Sequence, residues 1–174
     1  MIQAYIGDGK GKTTASIGLM IRAFGAGKKV MLIAFDKGSK TYRHSEYAVF
    51  DKLGIKYCVT GLERMLPNGT FRFKSCEGDI KEAERGLQIA KETLKTEDLD
   101  VLVLDEMLSA MTYNLISKNA VNELLDDIPE KTEIILTGRC EDSTLLNRLD
   151  LVTSMDKVKH YFDKGVKARE GIEY

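Results

Sequence analysis

The chain predicts a doubly wound α/β fold on a single, mainly parallel sheet. Three observations carry that reading. Short apolar runs alternate with helix-compatible stretches from end to end. A Gly-rich stretch, Gly7-Asp8-Gly9-Lys10-Gly11-Lys12-Thr13-Thr14, lies between the first apolar run and the first helical one. A later run, Val101-Leu102-Val103-Leu104, ends in the acid pair Asp105-Glu106.

Taken in order, Ile2 to Ile6 reads as a buried strand and Thr14 to Ala26 as a helix. That helix is apolar on more than one face through Ile17, Leu19, Met20, Ile21 and Phe24, so it is expected to be well covered. Gly25, Gly27, Lys28 and Lys29 supply its stop signals. Val30 to Phe35 is continuously apolar, as a parallel strand buried on both faces should be. A polar loop from Asp36 to Ser45 leads to a short helix, Glu46 to Leu53, and a third strand, Ile55 to Thr60. Gly61 to Ser75 has no periodicity and contains Pro67, Asn68 and Gly69, and long loops in small domains are usually functional. Its Phe71-Arg72-Phe73 carries two aromatics that a merely solvated loop would not favour.

Glu77 to Lys95 is an amphipathic helix whose Ile80, Ala83, Leu87, Ala90 and Leu94 form a core stripe. Asp100 to Asp105 is the next strand, Val121 to Ile128 a helix, and Thr132 to Thr137 a strand closed by Gly138-Arg139. Asp142 to Arg148 reads as a short helix and Leu149 to Met155 as a sixth strand, before a charged, Gly-punctuated tail from Lys157 to Tyr174. No linker, repeat or low-complexity segment interrupts the pattern, so residues 1–174 are expected to form a single P-loop α/β domain of the NTPase (RecA-like) type.

Composition narrows the function. A net charge of −1 offers no basic surplus for tracking nucleic acid, so a dedicated nucleic-acid partner is not expected. No run approaches the roughly 20 apolar residues of a membrane span, and no signal peptide precedes the first strand. Cys58, Cys76 and Cys140 have no C-x-x-C spacing and read as buried free thiols of a cytoplasmic protein. His44 and His160 lack metal-ligand spacing and read as structural.

The chemistry-bearing residues all fall at strand C-terminal ends, where open α/β sheets bind ligands. Glycines in the first loop let successive N–H groups point inward around a phosphate, and the next helix adds its free N–H groups and positive dipole end. Lys12 can reach phosphate oxygens, and the Thr13 hydroxyl can join the shell of Mg2+. The loop is a variant, because the first glycine of G-x-x-x-x-G-K-[ST] falls on Ile6. Asp105 and Glu106 can hold Mg2+, and Glu106 can alternatively position a water; Asp105 could instead cap the next helix. Lys37-Gly38 ends the second strand, and Arg139 can neutralise polyphosphate charge or make a surface ion pair. From the residues alone this is a Mg-ATP-using domain with an aromatic loop. Phosphoryl transfer by an ATPase or small-molecule kinase, and a non-enzymatic nucleotide-dependent switch, stay open.

Several stretches together resemble the P-loop type of corrinoid adenosyltransferase: Gly7 to Thr14, Phe35-Asp36-Lys37-Gly38, Leu104-Asp105-Glu106, Leu136-Thr137-Gly138-Arg139, and a tail with Val158-Lys159-His160, Gly165-Val166-Lys167-Ala168 and Gly171-Ile172-Glu173-Tyr174. The resemblance implies transfer of the 5′-deoxyadenosyl group of ATP to Co(I) of a corrinoid, with release of triphosphate. It implies ATP held by Gly7, Asp8, Gly9, Lys10, Gly11, Lys12, Thr13, Thr14 and Lys37, in reversed orientation relative to ordinary NTPases. Mg2+ would be held by Thr13, Asp105 and Glu106, with Lys12, Glu106 and Arg139 as catalytic residues. Phe71 and Phe73 match the family's aromatic pair facing the corrinoid, where Phe-x-Trp is usual and displaces the lower axial ligand of cob(II)alamin. A homodimer and an electron-donating flavoprotein partner are further implications. Departures are the lack of an N-terminal extension before Met1, Tyr161 in place of a frequent Pro, and Arg169 in place of a common Gln.

Overall fold

Among the residues that a computed structural model of the chain describes (1–39, 41–66, 70 and 72–174), six strands form one sheet. They are β1 (Ile2–Ile6), β2 (Val30–Ala34), β3 (Lys56–Val59), β4 (Val101–Asp105), β5 (Glu133–Thr137) and β6 (Leu151–Ser154). The spatial order is β3-β2-β4-β5-β1-β6, and every pairing is parallel. β5 thus separates β1, which feeds the Gly-rich loop, from β4, which ends in Asp105. The crossovers contain α1 (Lys12–Gly25), α2 (Glu46–Leu53), α3 (Glu77–Thr96), α4 (Met107–Thr112), α5 (Lys118–Asp126) and α6 (Ser143–Leu146).

Because strand side chains alternate between faces, parity sorts the core into two layers. Met31, Ile33, Leu102, Leu104, Ile134 and Leu136 pack toward α3, α4 and α5, against Ala83, Leu87, Met107, Leu108, Val121 and Leu124. Val30, Leu32, Ala34, Val101, Val103 and Ile135 pack on the opposite face against Met20 of α1 and Tyr47 and Phe50 of α2. Each such aliphatic side chain contributes about 1.5–3 kcal/mol on burial, so both layers hold the central strands firmly and fix where their C-terminal ends lie. The same parity carries Asp105 and Thr137 to the α1 face.

The expected elements recur with small shifts in their ends. α1 begins two residues earlier than expected and ends at Gly25; its Ile17, Leu19, Ile21 and Phe24 are only half-buried, with Ser16 and Met20 the buried pair. α5 starts at Lys118, earlier than Val121, because Ser117 caps it by accepting from the Ala120 N–H at 3.1 Å. α4 has no counterpart in the sequence reading. Met107, Leu108, Ser109, Ala110 and Met111 are all buried, so the segment lacks the polar face that reveals a helix. At the start of α3 the stripe is corrected: Ile80 is 37% exposed, while the neighbouring Asp79 is buried at 1%. Of the three free cysteines only Cys140 is buried; Cys58 is half-buried and Cys76 exposed. No described helix is long and apolar enough to cross a membrane.

Candidate functional site

The site grows from the turn after β1. Ile6 is the last residue of that strand, so the left-handed turn falls on Gly7, with φ 106°. A Cβ at Gly7 would lie 2.6 Å from the Met155 carbonyl oxygen, and one at Gly9 would lie 2.5 Å from it, so the loop passes too close to the chain after β6 for any side chain. The Gly9 N–H donates to that carbonyl at 2.7 Å. Gly11, with φ 124°, precedes α1, and no side chain caps the helix. The free N–H groups of its first turn, with no acidic residue beside them, therefore remain available to an anion. Lys12 folds back to donate to the Gly9 carbonyl at 2.8 Å, and burial holds its ammonium below the ordinary lysine range.

Asp105, at the end of β4, has a 1% exposed side chain. One carboxylate oxygen accepts from Thr137 Oγ1 at 2.6 Å, and Thr137 in turn accepts from the Glu106 N–H at 2.8 Å. The other pairs with the Lys37 ammonium, which also donates to Thr13 Oγ1 at 3.1 Å. Burial pushes the Asp105 carboxyl up, but the Lys37 charge and the hydrogen bonds from Lys37, Thr137 and Thr13 hold it below its ordinary value. Burial likewise lowers Lys37, and the charges of Asp105 and Glu106 outweigh it, raising the ammonium pKa. Both groups are therefore ionised. Glu106 follows in a left-handed conformation, φ 59°, at the start of α4. Asp105 does not cap that helix; Glu106 occupies the cap position without a capping side-chain bond.

A hydroxyl on Thr13 and carboxylates on Asp105 and Glu106 are hard oxygen donors of the kind Mg2+ takes, with phosphate oxygens and water completing the shell. The residues present fit that ion. Among the described residues no group of three or more His, Cys, Asp or Glu side chains could hold a metal alone, so phosphate would have to supply ligands.

Two cavities open at this end of the sheet. The larger, about 560 Å³, is lined by Gly9, Lys10, Gly11, Lys12, Thr13 and Thr14, together with Lys37 and Glu106. The smaller, about 300 Å³, contains Arg139, Tyr42, Arg64 and Tyr113. Lys37, His44 and Glu106 line both, so the cavities meet there. Gly7 and Asp8 line neither; Asp8 accepts from the Lys157 N–H at 3.0 Å and ties the tail to the loop. Phe73 is 86% exposed and lines neither cavity, while Phe71 lies outside the described residues.

Several contacts at the site escaped the sequence reading, although Lys10, Tyr161 and the tail from Gly171 to Tyr174 were named in it. Lys10 donates to Tyr161 Oη at 2.8 Å, to the Ile172 carbonyl at 2.8 Å and to Glu173 at 2.6 Å, drawing the tail over the loop. Gly171 to Tyr174 consequently form one wall of the larger cavity. The Tyr174 ring lies 4.9 Å from that of Tyr42, which meets His44 edge-on at 5.6 Å. His44 is no mere core residue: it lies at the junction, and burial and the Lys37 charge lower its pKa. From the Gly61-to-Ser75 stretch, Arg64 grips Asp36 with two contacts, at 2.9 and 2.8 Å, and Arg72 grips Asp79 with two more, at 2.5 and 2.8 Å.

Proteins described as ATP:corrinoid adenosyltransferase BtuR/CobO/CobP form a family that matches residues 1–174 of this chain. The corrinoid adenosyltransferase of Escherichia coli (strain K12) is 34% identical over 174 residues, which cover 100% of this chain and 85% of that protein. Corrinoid adenosyltransferase CobA of Salmonella typhimurium shows the same 34% over 174 residues, and the corrinoid adenosyltransferase of Pseudomonas aeruginosa is 30% identical over 176 residues, 83% of its length. The chain belongs to this adenosyltransferase family. As an adenosyltransferase, it has a loop before α1 whose free N–H groups open onto the larger cavity and a second cavity that meets it at Lys37, His44 and Glu106. Thr137, named only within the Leu136-to-Arg139 stretch and given no site role there, carried a usable signal: it shares the parity of Ile135 at the end of its strand, on the Asp105 side.

Proposed function

We propose that this chain transfers the 5′-deoxyadenosyl group of ATP to the Co(I) centre of a corrinoid and releases triphosphate. The observation that carries this reading is the junction at Lys37, His44 and Glu106, where a phosphate-suited cavity opens into a second one. The triphosphate would lie along Gly9 to Thr14, directing the ribose 5′ carbon toward the second substrate. The cobalt electron pair forms the Co–C bond as the C5′–O bond breaks, and the bonding pair leaves on triphosphate. No proton moves in that step, so no side-chain base is needed.

The protein's contribution is position and charge. The α1 N–H groups and Lys12 would meet the charge growing on the leaving group, and the depressed pKa of Lys12 would recover beside phosphate. Lys10, now bound to the tail, lines the same wall. Thr13, Asp105 and Glu106 would hold Mg2+, which supplies further neutralisation of triphosphate when bound. Arg139, on the smaller cavity, would balance charge at the junction rather than at the far phosphates. The corrinoid would lie across the open side of the smaller cavity, beside Met65 and Tyr113 that line it, with Phe71 and Phe73 contributing from the loop after β3.

Three attributes extend this reading. The free thiols suit a reducing cytoplasm. Co(I) must be generated by an electron donor, for which a flavoprotein is suited. The uncovered edge strand β6, with exposed Leu151 and Val152, supports a homodimer. The decisive test incubates the protein with Mg-ATP and chemically reduced cobalamin and identifies the phosphorus product. Triphosphate together with a new Co–C absorption spectrum is expected. ADP and phosphate formed regardless of corrinoid would mean phosphoryl transfer instead.

A further inference from the structure

The turn from Asp36 to Gly38 is constrained from every side, and all the constraints aim one side chain. Asp36 adopts φ 52°, in the left-handed region that non-glycine residues seldom occupy. Arg64 holds its carboxylate through Nε at 2.9 Å and Nη2 at 2.8 Å. The Lys37 and Gly38 N–H groups both donate to the Thr60 carbonyl, at 2.9 and 3.1 Å. Across the turn Gly61, φ 114°, lies so close that a Cβ there would be 2.7 Å from the Asp36 Cα. Backbone held in such a conformation persists only where its surroundings determine it, and it often marks function. Its product is the placement of the Lys37 ammonium between Asp105 and Thr13.

Those two side chains are two of the three that suit Mg2+, so an ammonium and a metal ion would compete for the same oxygens. We propose that Lys37 is a resident cation that keeps free divalent metal away from Thr13 and Asp105 and yields that position only when the metal arrives with a polyphosphate. Without nucleotide, Asp105 is a buried carboxylate whose cost is offset by Lys37. A bare metal ion would have to displace the ammonium while gaining few ligands. A polyphosphate changes both terms: it supplies metal ligands, and it gives the ammonium a second anion to pair with. Lys37 lines both cavities, and its four-carbon stem lets the charge move from Asp105 to phosphate without moving the turn. Glu106, Glu46 and His44 also face this charge and remain in place during the exchange. The proposal rests on the nucleotide-binding part of the proposed function and not on adenosyl transfer.

The test uses Mn2+ as a paramagnetic substitute for Mg2+, titrated into nucleotide-free protein and followed by electron paramagnetic resonance, without corrinoid or turnover. Wild type is expected to show no tight site. Lys37→Met is expected to bind Mn2+ about tenfold or more tighter than wild type, since the competing charge is gone. Adding Asp105→Asn to that variant should abolish the gain. Because Lys37→Met leaves a buried carboxylate unpaired and weakens the fold, Lys37→Gln, which keeps a donor toward Asp105 and Thr13, is measured beside it with circular dichroism. Tight Mn2+ binding by nucleotide-free wild type overturns the proposal on its own. So does a folded Lys37 variant that binds no better than wild type. A protein that passes this test yet makes ADP from ATP would retain the resident cation and lose the adenosyl-transfer reading.

Discussion

Replacing Asp79 by Asn tests how the loop between β3 and α3 is held. The wild-type carboxylate is buried and accepts from Arg72 at 2.5 and 2.8 Å and from the Cys76 N–H at 2.8 Å, with an Arg64 nitrogen 3.9 Å away. Asn keeps one acceptor oxygen but removes the charge that answers two guanidinium groups. Hydrogen bonds to charged groups contribute about 1.5–3 kcal/mol each. Arg72 is 22% exposed and can recover part of its loss in water, so a net cost of about 2 kcal/mol follows. Arg72 holds Asp79 well below the usual carboxylate range, against an ordinary value of 3.8. A carboxyl lowered by folding contributes stability that is complete above the ordinary value and lost as pH falls through the folded one. The gap between wild type and Asp79→Asn should therefore be constant from about pH 5 upward and narrow only below about pH 4. Urea unfolding at a series of pH values measures it. A variant within about 0.5 kcal/mol of wild type at pH 7, or a gap that widens in acid, would refute the reasoning.

Other perturbations reach the cavities. Lys12→Ala should lower turnover by about 10²–10³, the usual cost of one donor to a developing anion, and full activity in steady-state assays would remove the loop from the mechanism. Phe71→Ala with Phe73→Ala should slow adenosylation from cob(II)alamin plus reductant more than from pre-reduced Co(I); equal losses would leave the pair a packing role only. Gly61→Ala places a Cβ 2.7 Å from the Asp36 Cα at φ 114°, so thermal unfolding should report a loss of about 1–3 kcal/mol, and unchanged stability would mean the turn is not constrained as described.

What the sequence made legible was whatever repeats or alternates. Continuous apolar runs marked the parallel strands, whereas the strand parity that sets Asp105 and Thr137 on the α1 side went unused until the fold was known. The Gly-Lys-Thr ending marked the turn into α1 that lines the larger cavity, although the consensus glycine falls on Ile6, where β1 is still a strand. What escaped was pairing between distant residues. Lys37 and Asp105 look unrelated in the chain, as do Lys10 and Glu173, until the sheet brings their loops to one edge. Asp79 and Ile80 show the same limit: helical periodicity assigned the core position to the apolar residue, and two arginines from the neighbouring loop reversed it. Helix α4 was invisible because burial on all sides removes the contrast that periodicity needs.

The account turns on which bond of ATP breaks. A single turnover with ATP carrying 13C at the ribose 5′ position, followed by carbon and phosphorus magnetic resonance, answers this directly. The account predicts that the labelled carbon moves from oxygen to cobalt while all three phosphorus atoms leave together as triphosphate. A labelled carbon still bonded to oxygen, with phosphate or ADP as the phosphorus product, would contradict it.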